Sequence, residues 1–313
     1  MKISVAMTTY NSSKYLLEQL NSILIQTIPF DELVIIDDCS TDDTYNLLTK
    51  FRDSNKDKNI LVFQNKKNIG YVQAFKKSIE YCSGDVIFLC DHDDIWQDNK
   101  LSVMIEYLNE NIMCLGSSFN KIDSLGNQIK PSKKDNKHNW GYIKKKINGK
   151  AIKISLKELF YCNFTPGCCL CFSQKIKDSV CALLNEAPHD YLISCFCAIS
   201  EQLCFLNEKL INYRVHDSNV LGVNKGINYI GRLTVAKRDY NDKLEIYNSL
   251  KKYFSIRQEK VTSKIVELYK KRYHYFEQKK ITHLIFLSIK YLFINHQFSK
   301  TLLKDVLIIL KGR

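Results

Sequence analysis

Short apolar runs and amphipathic stretches alternate through the first hundred residues. Ile3 to Met7 reads as a buried strand, and Thr8-Thr9-Tyr10-Asn11 as the loop that leaves it. Ser12 or Ser13 then caps a helix from Lys14 to about Ile25, with Leu16, Leu17, Leu20, Ile23 and Leu24 at helical spacing. The pattern repeats in Leu33 to Ile36, the loop Asp37-Asp38-Cys39-Ser40, and a helix from Asp42 to about Arg52 capped by Ser40 or Thr41. A third round is Ile60 to Phe63, a polar turn from Asn65 to Gly70, and a helix from Tyr71 to Tyr81 with Ala74, Phe75 and Ile79 inward. Strands and helices alternating at this spacing predict a mostly parallel sheet with right-handed crossovers and helices on its faces.

The next strand, Val86 to Cys90, is apolar throughout, as expected of a strand buried on both faces. It stops at Asp91-His92-Asp93-Asp94-Ile95-Trp96. In such sheets ligands bind beyond the carboxyl ends of the strands. Two readings of the three carboxylates stand: a site for a cation that bridges a diphosphate, or the acidic first turn of a helix starting near Lys100, capped by Asp98. Thr9-Tyr10-Asn11, Asp37-Asp38 and Asn68-Ile69-Gly70 are expected on the same rim. No G-x-G-x-x-G follows the first strand and no G-x-x-x-x-G-K occurs, which argues against a dinucleotide or P-loop site.

Farther on, Met113 to Ser118 reads as a strand and Asp123 to Asn127 as a turn. Lys130 to Lys153 is a polar, lysine-rich stretch expected to be exposed and mobile, its lysines either solvated or meeting a phosphate-bearing acceptor. Asn163-Phe164-Thr165-Pro166-Gly167-Cys168 turns into an apolar strand, Cys168 to Phe172. Pro188-His189-Asp190-Tyr191 opens an apolar helix, Leu192 to Ile199, where Asp190 has the position of an ordinary N-terminal capping carboxylate.

Composition adds one asymmetry. The net charge of +13 invites a nucleic-acid reading, but 20 Lys/Arg and 7 Asp/Glu lie from Lys225 onward, with 26 of each before it. The excess therefore belongs to a tail whose helical pattern has an apolar stripe, and no nucleic-acid module is recognisable. Such helices suit an anionic membrane surface or pack as an appendage with solvated lysines. No run approaches the ~20 apolar residues of a membrane span. The 12 cysteines, with no leader before them, fit a reducing cytosol, and they read as small core hydrophobes because Cys168-x-x-Cys171 has no second pair to complete a zinc site.

Three motifs together, Val5-Ala6-Met7-Thr8-Thr9-Tyr10-Asn11, Val34 to Asp42, and Asp91-His92-Asp93-Asp94-Ile95-Trp96, resemble glycosyltransferase family 2. Tyr213-Arg214-Val215-His216-Asp217-Ser218-Asn219-Val220-Leu221-Gly222 resembles the Tyr-Arg-x-His-x-x-Asn-x-x-Gly signature of its rhamnosyltransferase-like branch. The resemblance implies a GT-A fold, a Rossmann-like α/β sheet, over residues 1–224, with a nucleotide-sugar half to about 110 and an acceptor half beyond it. Residues 225–313 form a basic, amphipathic helical region.

It further implies an inverting transfer from a nucleotide-diphosphate sugar, with dTDP-rhamnose favoured by this branch and galactose, glucose and N-acetylated sugars left open. Thr9, Tyr10, Asn11, Asp38, Asn68, Gly70, Asp91, His92, Arg214 and His216 would serve the donor. Asp93, Asp91 and His216 would hold Mn²⁺ or Mg²⁺. Trp96, Gly167, Cys168 and His189 would face the acceptor, and Asp190 would be the general base. With the basic tail, the expected acceptor is a lipid-linked saccharide at the cytoplasmic face of the membrane, in bacterial surface polysaccharide synthesis. The rival readings are a sugar nucleotidyltransferase, which would want a Gly-rich basic loop after the first strand, and a silent carbohydrate- or membrane-binding module, which would want the acidic motifs decayed.

Overall fold

The computed structural model describes residues 1–130, 151–163, 166–216, 228–292 and 295–311, and the side chains of His296 and Gln297 are not described. Most of the lysine-rich stretch, Phe164, Thr165, and Asn219 and Gly222 of the signature thus lie outside the described residues.

The chain runs β1 (Ile3–Thr9), α1 (Leu16–Leu24), β2 (Glu32–Asp37), α2 (Thr44–Ser54), β3 (Ile60–Gln64), α3 (Tyr71–Tyr81), β4 (Val86–Cys90), β5 (Ile95–Trp96), α4 (Lys100–Ile105) and β6 (Cys114–Ile122). It continues β7 (Ile152–Lys153), α5 (Leu156–Tyr161), β8 (Leu170–Ser173), α6 (Lys177–Leu183), α7 (His189–Ile199) and β9 (Leu203–Arg214). Four helices follow: α8 (Tyr229–Leu250), α9 (Ile256–Glu277), α10 (Ile281–Tyr291) and α11 (His296–Lys311).

By compactness the chain forms two units, Met1–Ser155 with Asn163–Val215, and Leu156–Cys162 with His216–Arg313. In the first, the strands lie in one sheet in the order β3-β2-β1-β4-β8-β6-β9-β5, with β7 on β9. β3, β2, β1 and β4 are parallel, as the alternating pattern requires. Every residue of β1 and of β4 is buried, so both faces are covered. On one face Val5 and Met7 share a core with Leu16, Leu20 and Ile23 of α1. α3 covers β1 and β2, with the Ser78 hydroxyl donating to the Val34 carbonyl at 3.1 Å.

Direction of travel through the rest of the sheet decides where chemistry gathers. β8 runs antiparallel to both β4 and β6, β6 is parallel to β9, and β5 is antiparallel to β9. The strands pointing the same way as β4, including β9, end on its carboxyl rim; β8 and β5 begin there. The sequence expectation of a mostly parallel sheet holds for the first four strands and is interrupted by β8. That reversal carries the turn Gly167–Cys169 to the end of β4, and it brings Arg214, last residue of β9, to the same rim.

The second unit is a helical body. α8 packs on α9, α5 on α9, and α10 on α11. Its interior holds a charged network rather than hydrocarbon alone. The fully buried Arg272 guanidinium meets the buried Asp305 at 2.7 Å and Asp239 at 2.7 Å, while Arg232 meets Asp305 at 2.5 Å. Two cations on one carboxylate satisfy the condition under which a buried charge is tolerated.

Candidate active site

The rim has three parts. The first is a knot of loops after β1, β2 and β3. The buried Asp37 accepts from Thr9 Oγ1 at 2.9 Å, Ser40 Oγ at 2.5 Å, Ser40 N at 3.0 Å and Gln64 Nε2 at 3.1 Å, which fills both of its oxygens. Thr9 is thereby a buried brace. Asp38 Oδ1 accepts from Asn65 Nδ2 and Ile69 N, each at 2.9 Å, and Oδ2 from Gly70 N at 2.9 Å, leaving one acceptor position for a ligand N–H. Gly70 adopts φ 83°, where a side chain would be strained, and this lets its N–H turn onto Asp38. Asn68 Oδ1 also accepts from Gly70 N, at 3.1 Å. Asn11, at φ 48°, accepts from Thr41 N at 2.8 Å and ties the first loop to the second. Tyr10 is 47% exposed, its ring open to the rim.

The second part is the acidic loop. Ligand atoms of Asp91, Asp94 and Cys168 lie within 4.8 Å of one another. Asp94 is fully buried; its Oδ1 accepts from Arg214 N at 2.9 Å, and its Oδ2 has no hydrogen-bond partner among the described residues. Burial, then Asp93, then Asp190 push the Asp91 carboxyl up to about 7. Burial and the charges of Asp93 and Asp91 push Asp94 well above the usual carboxylate range. The sequence paired Asp91 with Asp93 as the metal ligands. The compact donor group instead contains Asp94, because Arg214 N draws that residue inward; Asp93 stays close enough for its charge to act on both. His92 is half-buried beside them.

A carboxylate group that its own neighbours make reluctant to ionise, with one buried oxygen lacking a partner, suits a divalent cation. Asp91 and Asp94 offer the hard oxygen ligands that Mg²⁺ and Mn²⁺ take. The Cys168 thiol fits less well as a ligand, since burial keeps it protonated. His216 opens the second unit and is half-buried.

Two side chains hold this loop from beneath. Lys100 is fully buried, its Nζ donating to the Cys168 carbonyl at 2.7 Å and lying 3.5 Å from the centre of the Trp96 ring. Its charge acts on Asp91. Arg214 is 1% exposed; Nε donates to the Asp93 carbonyl at 2.8 Å, the guanidinium pairs with Glu18 at 2.5 Å and it lies over the Tyr15 ring at 4.5 Å. Arg214 was expected at the diphosphate and Trp96 at the acceptor. The structure puts Arg214 under the acidic loop as a clamp and Trp96, 2% exposed, in the core. Lys100 carried no sequence signal; a lone lysine at a helix start reads as solvated.

The third part is the start of α7. Asp190, 7% exposed, accepts from Tyr191 N at 2.7 Å and Asn163 Nδ2 at 3.1 Å, and burial pushes its carboxyl up to about 6. His189 stacks on Phe75 at 3.9 Å between ring centres, and burial pulls its imidazole down to about 3. Neither of its ring nitrogens has a hydrogen-bond partner among the described residues. A Cβ on Gly167 would stand 2.7 Å from His189 Nε2 and 3.6 Å from Asp190 Cβ. The turn Gly167–Cys169 therefore links the two acidic parts: its glycine touches His189 and Asp190, and its first cysteine meets Asp91 and Asp94. The field of Asp190 reaches Asp91.

Residues 4–174 match the family model described as glycosyl transferase family 2. An uncharacterized glycosyltransferase of Nostoc sp. is 38% identical over 106 residues, which are 34% of this chain and 32% of that relative, so the chain spans only about a third of its length. Among solved structures, S. aureus TarS 1-349 in complex with UDP superposes with a TM-score of 0.59 at 18% identity, over 100% of this chain and 92% of that one. The mannosyltransferase PcManGT of Pyrobaculum calidifontis, in complex with GDP-Man and Mn²⁺, does so at 0.54 and 11% identity, over 99% and 85%. With more than half its residues in the family match and a GT-A sheet whose acidic loop closes β4, this chain belongs to glycosyl transferase family 2.

Proposed function

We propose that the chain transfers a sugar, with inversion, from a nucleoside-diphosphate donor to a saccharide hydroxyl. The observation that carries this reading is the approach of Asp190 to the acidic loop across the Gly167–Cys169 turn. One carboxyl on each side of that turn matches what a single displacement needs: charge control at the departing phosphate and a base at the incoming hydroxyl.

Asp38 and Tyr10 face the base and ribose end of the donor, with Asn11, Asn68 and Gly70 shaping the loops around it. Asp91 and Asp94, with Asp93 beside them, would hold a divalent cation, which when bound neutralises charge on the diphosphate. Asp190 takes the acceptor proton as that oxygen bonds to the anomeric carbon and the bond to the diphosphate oxygen breaks. With a carboxyl near 6, it is ionised at neutral pH yet basic enough to accept a proton in the transition state. Retention would need a nucleophilic carboxylate near the anomeric carbon as well, a part for which Asp91 and Asp94, engaged with the cation, are not available.

A lipid-linked saccharide at the cytoplasmic face of an anionic membrane is the acceptor class that the basic tail favours. The test is a screen of nucleotide sugars, dTDP-rhamnose first, for release of the nucleoside diphosphate with Mn²⁺ or Mg²⁺. Turnover that EDTA abolishes and Asp190→Asn reduces by at least ~10²-fold, with donor binding kept, is expected. Turnover indifferent to EDTA would overturn the cation assignment, and an active Asp190→Asn variant would overturn the base.

A further inference from the structure

The hairpin of α10 and α11 leaves large apolar side chains exposed. Phe286 is 68% exposed, Ile289 65% and Leu307 55%, and Ile285, Leu303 and Leu310 are exposed with them. On α10 the buried side is Leu284, Leu287 and Ser288; on α11 it includes Leu302, Asp305, Val306 and Ile309. Ser288 Oγ meets Ser299 Oγ at 2.9 Å, which marks the seam between the helices. At 100° per residue, Ile285, Phe286 and Ile289 lie on the side of the seam opposite the core. In the antiparallel partner Leu303, Leu307 and Leu310 fall on that same side. The two stripes therefore form one continuous apolar floor.

Charge frames it. Lys290 sits at the outer margin of α10, and Lys300, Lys304 and Lys311 form a row along the outer margin of α11, all four exposed. Between Ile281 and Arg313 the only acidic residue is Asp305, which is buried and bound by Arg232 and Arg272. No helix among the described residues is long and apolar enough to cross a membrane. An apolar floor with a cationic margin and no exposed acid suits a helix pair lying in the plane of a bilayer interface.

We infer that the α10–α11 hairpin docks the protein onto anionic lipid, with Phe286, Ile289, Leu303 and Leu307 entering the acyl boundary and the flanking lysines meeting lipid phosphates. This deepens the lipid-linked acceptor reading and rests on it for its purpose, but its test involves no donor and no metal. The experiment is flotation of the full chain with vesicles of phosphatidylcholine alone or with phosphatidylglycerol, together with the oligomeric state of the lipid-free protein.

Flotation with the anionic vesicles is expected, at least tenfold weaker with the neutral ones. Phe286→Asp with Ile289→Asp is expected to abolish it, and Lys300→Gln with Lys304→Gln to weaken it by more than tenfold, since each surface lysine is worth roughly fivefold. These side chains are exposed, so unchanged circular dichroism is expected, and Leu303→Ser with Leu307→Ser repeats the loss with a milder change. Wild-type protein that stays at the bottom with anionic vesicles overturns the inference, as does a lipid-free dimer that Phe286→Asp dissociates and that never floats. A protein that floats yet releases no nucleoside diphosphate from any donor keeps this inference and refutes the transfer reading alone.

Discussion

Arg214 separates two accounts of the acidic loop, so its replacement is worth working through. In Arg214→Met the volume is largely kept while the Nε bond to the Asp93 carbonyl, the Glu18 pair and the Tyr15 contact are lost. Glu18 is 55% exposed and rehydrates, so that pair contributes only ~0.5 kcal/mol. The Asp93 carbonyl, stripped of its donor, costs about 1–2 kcal/mol, and the lost contact with Tyr15 about 1 kcal/mol. The total, about 3 kcal/mol, corresponds to a fall of roughly 6–12 °C in Tm for a unit of this size. Differential scanning calorimetry reads the fall, and donor titration on the same protein reads binding. Loss of stability with loss of turnover is the expected pair. Unchanged Tm with weakened donor affinity alone would refute the clamp and restore Arg214 to the diphosphate.

Three further predictions follow from the same geometry. Gly167→Ala drives a methyl against His189 Nε2, which the stacked Phe75 cannot yield to freely, so a loss of about 1–3 kcal/mol in a denaturant melt is expected, with turnover falling because Asp190 moves. Asp190 has a folded carboxyl near 6 against 3.8 when unfolded; its stability contribution is present below 3.8 and is lost as pH rises through 6, so Asp190→Asn is expected to be about 2–3 kcal/mol more stable than wild type at pH 8 and equal to it at pH 3.5. Asp305→Ala leaves Arg272 buried without its main partner and is expected to destabilise the helical unit by about 3–5 kcal/mol; a loss under 1 kcal/mol by calorimetry would show that Asp239 alone suffices.

Much of the first unit was legible because its signals are local. α3 runs over the residues that its Ala74, Phe75, Ile79 spacing predicts, and β4 ends where the apolar run ends. β5 and β9 were not legible as a pair, since their register matches Ile95 to Asn212 across the whole acceptor half. The inward turn of Asp94 has the same origin. Three aspartates in four residues look alike in sequence, and the bond from Arg214 N that selects among them joins positions 120 apart. Lys100 is hidden for another reason: its counter-groups, a backbone carbonyl and an indole ring, leave no pattern in the chain. In the tail, the surplus of lysines was plain, whereas each pair that Arg232 and Arg272 form with Asp239 or Asp305 joins positions at least 33 residues apart.

The central claim is that the acidic loop and Asp190 line one transfer site, the loop for the cation and diphosphate and Asp190 for the acceptor hydroxyl within electrostatic reach of it, and Mn²⁺ affinity at pH 8 tests it most directly. Free Mn²⁺ is measured by its EPR signal for wild type, Asp91→Asn and Asp190→Asn. Asp91→Asn is expected to lose binding, and Asp190→Asn, which removes one charge within electrostatic reach, to weaken it about two- to tenfold. Mn²⁺ binding that ignores the charge at Asp190 would contradict the claim.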